Sequence, residues 1–140
     1  MASSERVATA LRDAICRFNR RLRQTRPVGD LTQSQLSALT TLDLGGALTP
    51  RELAETERVT PPSMTKTVSK LEERGLVQRT PHPTDGRQVI LSATASGREV
   101  LARNGEARDA WLGRQIAALA ADERETLWRA VQIVDRIARA

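Results

Sequence analysis

Apolar residues recur along most of the chain at helical spacing, with one interruption. Val7, Leu11, Ile15, Phe18 and Leu22 fall at steps of three and four, the period of a helix that buries one stripe. Ser3 or Ser4 stands where a side-chain cap belongs and Pro27-Val28-Gly29 ends the series, so an amphipathic helix of about five turns is predicted, its other face dense in arginine. Thr32-Gln33-Ser34-Gln35 is a capping box, since the threonine oxygen can accept from the third amide while the glutamine reaches back. Leu36, Leu39 and Leu42 follow as a second stripe, stopped by Gly45-Gly46. Thr49-Pro50-Arg51-Glu52 combines a threonine cap, proline at the first helical position and glutamate at the third. The short helix it opens has Leu53 and Ala54 on its apolar side and ends near Arg58. Thr60-Pro61-Pro62 opens the next helix, expected to run to Gly75. Its prolines are tolerated because first-turn amides have no partner within the helix.

After Gly75 the period changes. Leu76-Val77-Gln78-Arg79 and Gln88-Val89-Ile90-Leu91 read as short strands, joined by the turn-forming stretch Thr80-Pro81-His82-Pro83-Thr84-Asp85-Gly86. A capped short helix, a tight turn, a second capped helix and a β-hairpin make a winged helix-turn-helix. Thr94 to about Leu119 is helical again, with Val100, Leu101, Trp111, Leu112, Ile116 and Leu119 apolar. Gly97, Gly105 and Gly113 each weaken it by roughly 1 kcal/mol relative to alanine, and Asn104-Gly105 is the expected kink. Asp122-Glu123-Arg124-Glu125 reads as a further capping box, opening a last helix with Leu127, Val131, Val134 and Ala138 on one side. The predicted fold is mainly α: a winged helix-turn-helix with a two-stranded wing, flanked by N- and C-terminal dimerisation helices. Residues 1–30 form the N-terminal dimerisation helix, 31–92 the DNA-binding region and 93–140 the C-terminal dimerisation helices, within one structural domain. The outer helices carry apolar series too long to be used up against a small winged core, and a stripe of that size needs a partner.

Composition narrows the chemistry. A chain of 140 residues with 39% apolar content has the size of one domain. No window approaches a membrane span, and the start, Met1-Ala2-Ser3-Ser4-Glu5-Arg6, has no apolar signal core, so a cytoplasmic protein is expected. The single cysteine, Cys16, leaves no internal disulfide, and with the single histidine, His82, no His/Cys zinc site within one chain. No Ser/His/Asp or Cys/His set is positioned for nucleophilic catalysis. The chain is expected not to be an enzyme and to use no cofactor and no metal.

Twenty-two basic residues against 17 acidic give a net charge of +5 and an isoelectric point near 10.8, which favours a polyanionic partner. All the basic residues but two lysines are arginine, a bias that a GC-rich genome produces without functional pressure. The excess sits at the start: residues 1–30 carry seven arginines and three acidic residues, whereas residues 49–92 carry seven basic and six acidic.

The Pro61 helix carries the strongest candidate surface. At about 100° per residue, Met64, Thr67, Val68 and Leu71 share one apolar side, and Pro62, Thr65, Lys66, Ser69 and Lys70 lie opposite. Small hydroxyl residues interleaved with the chain's two lysines suit a major groove, where they can bond base edges or phosphates at close approach. In the hairpin, Arg79 leaves the first strand and Arg87 begins the second, with Asp85 two residues before it. An arginine on a narrow loop can enter the minor groove, and the carboxylate can hold its guanidinium through a paired hydrogen bond. The candidate DNA-binding residues are Pro62, Ser63, Thr65, Lys66, Ser69, Lys70, Arg79, Asp85 and Arg87.

With these residues in place the chain resembles the MarR family of bacterial transcription regulators over nearly its whole length. The resemblance rests on Leu71-Glu72-Glu73-Arg74-Gly75-Leu76-Val77-Gln78-Arg79, Pro83-Thr84-Asp85-Gly86-Arg87 and Val89-Ile90-Leu91-Ser92. The family's Asp-x-Arg wing signature falls on Asp85 and Arg87. Thr94-Ala95-Ser96-Gly97 is similar to the start of the family's long helix, although Ala93 stands where a larger apolar residue is usual. The resemblance implies a homodimer with interlocked terminal helices whose two winged lobes bind a palindromic operator in double-stranded DNA. It also implies a repressor relieved by a small phenolic or aromatic-acid-like effector, with Phe18, Arg17, Arg21 and Trp111 in the region of the family's pocket, where Phe18 and Trp111 read equally as core. Two other readings stand beside it. One is a winged-helix protein-interaction module without DNA readout, supported by the six acidic residues of segment 49–92. The other is a thiol redox-sensing repressor acting through Cys16, which lies near the N-terminal cysteine of the family's peroxide-sensing branch. That branch uses tyrosine hydroxyls, and this chain has no tyrosine; a buried cysteine serving as a small core residue is the plainer alternative.

Overall fold

The computed structural model describes residues 1–26 and 31–140; the Pro27-Val28-Gly29 stop signal lies outside the described residues. Two compact units are present, one made of Met1–Arg26 with Glu106–Ala140, the other beginning after Arg26 and ending at Gly105. Among the described residues there are six helices and one two-stranded antiparallel sheet.

The second unit holds the core. Its helices are α2 (Gln33–Gly45), α3 (Pro50–Glu57) and α4 (Pro61–Glu73), and its wing strands are β1 (Val77–Pro81) and β2 (Val89–Ala93). Each helix starts where its cap lies. The Thr32 hydroxyl accepts the Gln35 amide at 3.2 Å while the Gln35 side chain accepts the Thr32 amide at 3.1 Å. Thr49 and Glu52 repeat the exchange at 3.2 and 3.0 Å. Leu36, Leu39 and Leu42 from α2, Leu53 and Ala54 from α3, and Met64, Val68 and Leu71 from α4 are buried together with Leu76, Val77, Leu91 and Ala93. Glu57, at the end of α3, accepts hydroxyl hydrogen bonds from Ser37 and Thr41, tying α3 to α2.

Two helix ends are built alike. At the end of α4, the Leu76 amide reaches the Leu71 carbonyl and the Gly75 amide reaches Glu72, both at 2.9 Å, with Gly75 at φ +71°. This is a Schellman stop. At the end of α3, the Val59 amide reaches Ala54 at 3.1 Å and the Arg58 amide reaches Glu55 at 3.2 Å. Here the left-handed position, φ 54° and ψ 45°, is filled by Arg58 rather than glycine, so a side chain that disfavours the conformation makes the turn of the helix pair.

The wing strands are each displaced toward the C-terminus from the segments that the hydrophobic pattern implies. Val77 pairs with Ala93 and Pro81 with Val89, so Thr80 and Pro81 belong to β1 instead of the turn, and Leu76 and Gln88 lie outside the strands. Proline is tolerated because β1 has a partner on one side only. Leu48 adds a bridge on the other flank of β2, exchanging hydrogen bonds with Leu91 at 3.1 and 2.7 Å.

α5 (Ala95–Ala117) runs unbroken through Asn104-Gly105, and the boundary between the units falls within it. Its start is fixed by Thr94, whose hydroxyl donates to the Gly75 carbonyl at 2.7 Å and accepts the Gly97 amide at 3.1 Å. Gly97 lies against the chain at Leu76: a Cβ there would sit 2.3 Å from the Leu76 carbonyl oxygen.

The first unit contains α1 (Ser4–Arg23) and α6 (Ala121–Ala138) with the second part of α5. Ser3 caps α1 through the Arg6 amide at 3.3 Å. α6 starts one residue before the Asp122 it was expected to begin beside. Its cap is Ala120, which has no side-chain acceptor, and only the return half of the box forms, Glu123 accepting the Ala120 amide at 3.0 Å. Leu11, Ala14, Ile15 and Phe18 of α1 and Leu127, Ala130, Val131, Val134 and Ala138 of α6 line an open apolar groove of about 580 Å³.

Two outcomes are expected. Gly97→Ala should destabilise the protein by about 1–3 kcal/mol in urea unfolding, because the Leu76 backbone must shift to admit a methyl group. Glu52 is held below the ordinary carboxylate range chiefly by the Thr49 amide, then by the Thr49 hydroxyl. A folded value below the unfolded one gives stability that is full above the ordinary glutamate range and lost as pH falls through the folded value. The melting-temperature advantage of the parent over Glu52→Gln, which keeps an acceptor but no charge, should therefore be present at pH 7 and shrink as the pH is lowered below the ordinary glutamate range.

Candidate nucleic-acid interface

α4 separates its faces as its sequence implies. Met64, Val68 and Leu71 are buried, Thr67 is half-buried, and Pro62, Ser63, Thr65, Lys66, Ser69 and Lys70 are exposed. Thr60 caps the helix, accepting the Ser63 amide at 3.4 Å and donating its hydroxyl hydrogen to Ser63 Oγ at 3.0 Å. Thr65 donates its hydroxyl to the Pro61 carbonyl at 3.0 Å, which leaves its oxygen free to accept from a base or a water. The lysines differ. Lys70 Nζ lies 3.6 Å from the Glu73 carboxylate, whereas Lys66 makes no ion pair among the described residues.

The wing brings Asp85 and Arg87 together but not Arg79. Arg79 Nε donates to Glu72 Oε1 at 2.7 Å, so this arginine clamps the base of the wing to α4 and its charge is locally matched. At the loop, Asp85 Oδ1 accepts the Arg87 amide at 3.1 Å and Arg87 Nε at 3.3 Å, while Oδ2 accepts Gln88 Nε2 at 3.0 Å. The contact is not the paired guanidinium–carboxylate bond expected from sequence. One guanidinium nitrogen and the backbone share one oxygen, and Gln88 takes the other. These bonds hold the Asp85 carboxyl below its usual range, the Gln88 side chain most and the Arg87 amide and guanidinium next. Arg87 remains 92% exposed, its terminal nitrogens unpartnered among the described residues.

Sequence reasoning missed three features of this unit. His82 Nδ1 accepts the Thr84 and Asp85 amides at 3.2 and 3.1 Å; the available signal was a side-chain acceptor two and three residues before the amides of a turn. Arg58, in the turn of the helix pair, and Arg74, just past α4, are exposed and make no ion pair among the described residues. Both sit where a helix end was the only feature sought.

In the other unit, Cys16 is exposed on α1 and not a core residue. Phe18 and Trp111, read from sequence as equally suited to the core, are exposed and half-buried. Their ring centroids lie 6.0 Å apart, and the Arg21 guanidinium lies 5.1 Å from the Trp111 ring centre. Arg17 is exposed. Among the described residues no group of three or more His, Cys, Asp or Glu side chains is arranged to hold a metal ion, and no helix is long and apolar enough to cross a membrane.

Residues 31–89 match the model of the MarR family. An HTH-type transcriptional regulator of Mycobacterium bovis is 45% identical over 132 residues, covering 94% of this chain and 92% of its own. A transcriptional regulator of Pseudomonas aeruginosa superposes with a TM-score of 0.86 at 31% identity, covering 99% of both chains. A MepR variant of S. aureus bound to an oligodeoxyribonucleotide shares the fold, with a TM-score of 0.73 at 19% identity over 94% of this chain and 97% of its own. The helix pair, its capped polar face, the wing and these likenesses agree: the chain belongs to the MarR family of winged helix-turn-helix transcriptional regulators, which bind DNA and are not enzymes.

Proposed function

We propose that this regulator is a homodimeric repressor, acting in the cytoplasm, that grips a palindromic operator with α4 in the major groove and the wing in the minor groove. The observation that carries the reading is that one compact unit holds both an exposed Ser/Thr/Lys face on α4 and an arginine held by a carboxylate at the wing. In the complex, Lys66 and Arg87 face the same side of each subunit. Pro62 and Ser63 bring the helix start close to the duplex, Thr65, Lys66 and Ser69 read bases or phosphates, and Lys70 and Arg79 add charge at the margin. Asp85 orients Arg87. The MepR complex with an oligodeoxyribonucleotide supports this use of the fold.

Residues 1–30 and 93–140 supply the dimer contact and residues 31–92 the DNA contact. Support comes from the apolar groove of α1 and α6 and from large side chains left in water, among them Trp128 at 63% and Ile137 at 59% exposure. A surface of that kind calls for cover, and a two-fold partner would space the recognition helices roughly 34 Å apart, one turn of DNA. The effector is a small phenolic or aromatic-acid-like molecule, for which the Phe18, Trp111 and Arg21 cluster offers ring faces beside a cation.

Two measurements test this. Binding of DNA from upstream of the chain's own gene should weaken steeply with rising salt. Arg87→Ala should weaken operator and mixed-sequence DNA alike and lower the salt slope by about 1, while Thr65→Ala or Lys66→Ala should lose about 1–3 kcal/mol on the operator alone. Unaltered affinity in Arg87→Ala would contradict the wing assignment, and no DNA binding at any salt would favour the protein-interaction reading. Val131→Glu, placed in the apolar groove, should turn the dimer into a folded monomer by light scattering with unchanged circular dichroism. A dimer persisting in that variant would move the interface elsewhere.

A further inference from the structure

The wing tip is a closed loop in which one side chain, His82, accepts two backbone amides. The His82 amide donates to the Gln88 carbonyl at 3.2 Å, closing the loop at its base. Inside it, His82 Nδ1 accepts the Thr84 amide at 3.2 Å and the Asp85 amide at 3.1 Å, with Thr84 Oγ1 3.4 Å away. Pro83 between them has no amide hydrogen, so these are the first two amides the turn must satisfy. The second belongs to Asp85, whose carboxylate in turn holds the Arg87 amide and guanidinium.

We propose that His82 is a positioning residue of the wing: by satisfying the Thr84 and Asp85 amides it fixes the backbone from which Asp85 aims Arg87 at DNA. This rests on the assignment of Arg87 to the DNA contact made above. A side-chain acceptor that binds amides two and three residues onward is the usual device of asparagine and aspartate in turns. The imidazole performs it with Nδ1, which must be unprotonated, so the ring hydrogen sits on Nε2. Without that acceptor the two amides turn to water, the loop samples other shapes, and the ordering of Arg87 must be supplied on binding.

The test uses the intact protein and mixed-sequence duplex DNA at low salt, with a double-mutant cycle. His82→Ala should weaken binding about three- to tenfold, the range for ordering one long side chain and its loop. His82→Asn, which restores an acceptor in the same place, should bind within about twofold of the parent. In an Arg87→Ala background, His82→Ala should add less than about twofold, since its effect passes through the arginine. Imidazole nitrogen NMR of the parent should show the Nε2–H tautomer. Parental affinity in His82→Ala, no rescue by asparagine, multiplied losses in the double variant, or an Nδ1–H tautomer would each overturn the proposal. If Arg87→Ala alone changes nothing, the wing assignment fails and this inference with it; if Arg87→Ala weakens binding while His82→Ala does not, only this inference fails.

Discussion

The junction where Thr94 meets the end of α4 is the contact on which the unit holding the helix pair and the wing depends. The Thr94 hydroxyl donates to Gly75 and accepts from Gly97, and its amide donates to Leu76 at 3.0 Å. One residue thus joins the end of α4, the start of the first wing strand, the end of the second and the start of α5. The close passage of Gly97 over the Leu76 carbonyl leaves no room for a side chain. Helix and wing are therefore held by a backbone crossing and do not depend on side-chain packing alone. The Glu72–Arg79 ion pair reinforces the same corner from outside.

Charge in this unit is distributed sparingly. Arg51, Lys70, Arg79 and Arg87 each lie beside a carboxylate, which agrees with the near-neutral balance of segment 49–92. Exposed pairs of this kind contribute little to stability and are screened by salt. Their effect here is geometric, holding the cationic groups in chosen directions. A surface of this kind offers a few placed cations and hydroxyls and not a broad positive field, so shape and preorganisation carry more of the proposed recognition than net charge does.

Local rules were the legible part of the sequence. Thr32, Thr49 and Thr60 cap their helices because a cap needs only residues within one turn, and the buried side of α4 followed from its period. What escaped was set by distant partners or by edges. Leu48 bridges Leu91 although its own neighbours carry no strand pattern. Pro81 reads as a turn residue yet pairs in β1, because the free edge of a two-stranded ribbon forgives a missing donor. Ala120 begins α6 without a capping side chain, a start that composition cannot signal. At the candidate site, the exposure of Lys66 and Arg87 could be read from the helix period and the turn, but the neutralisation of Arg79 could not. It depends on Glu72 lying within reach across the junction.

Arg58 sets two selective pressures against each other. Its left-handed backbone at the corner between α3 and α4 is one that glycine adopts without penalty and that arginine adopts at a cost of about 1 kcal/mol. Selection for heat tolerance alone would drift toward glycine at this corner. Selection that also rewards positive potential beside the start of α4 would keep the arginine despite its strained backbone. The turn thus carries a charge where backbone geometry alone would place none.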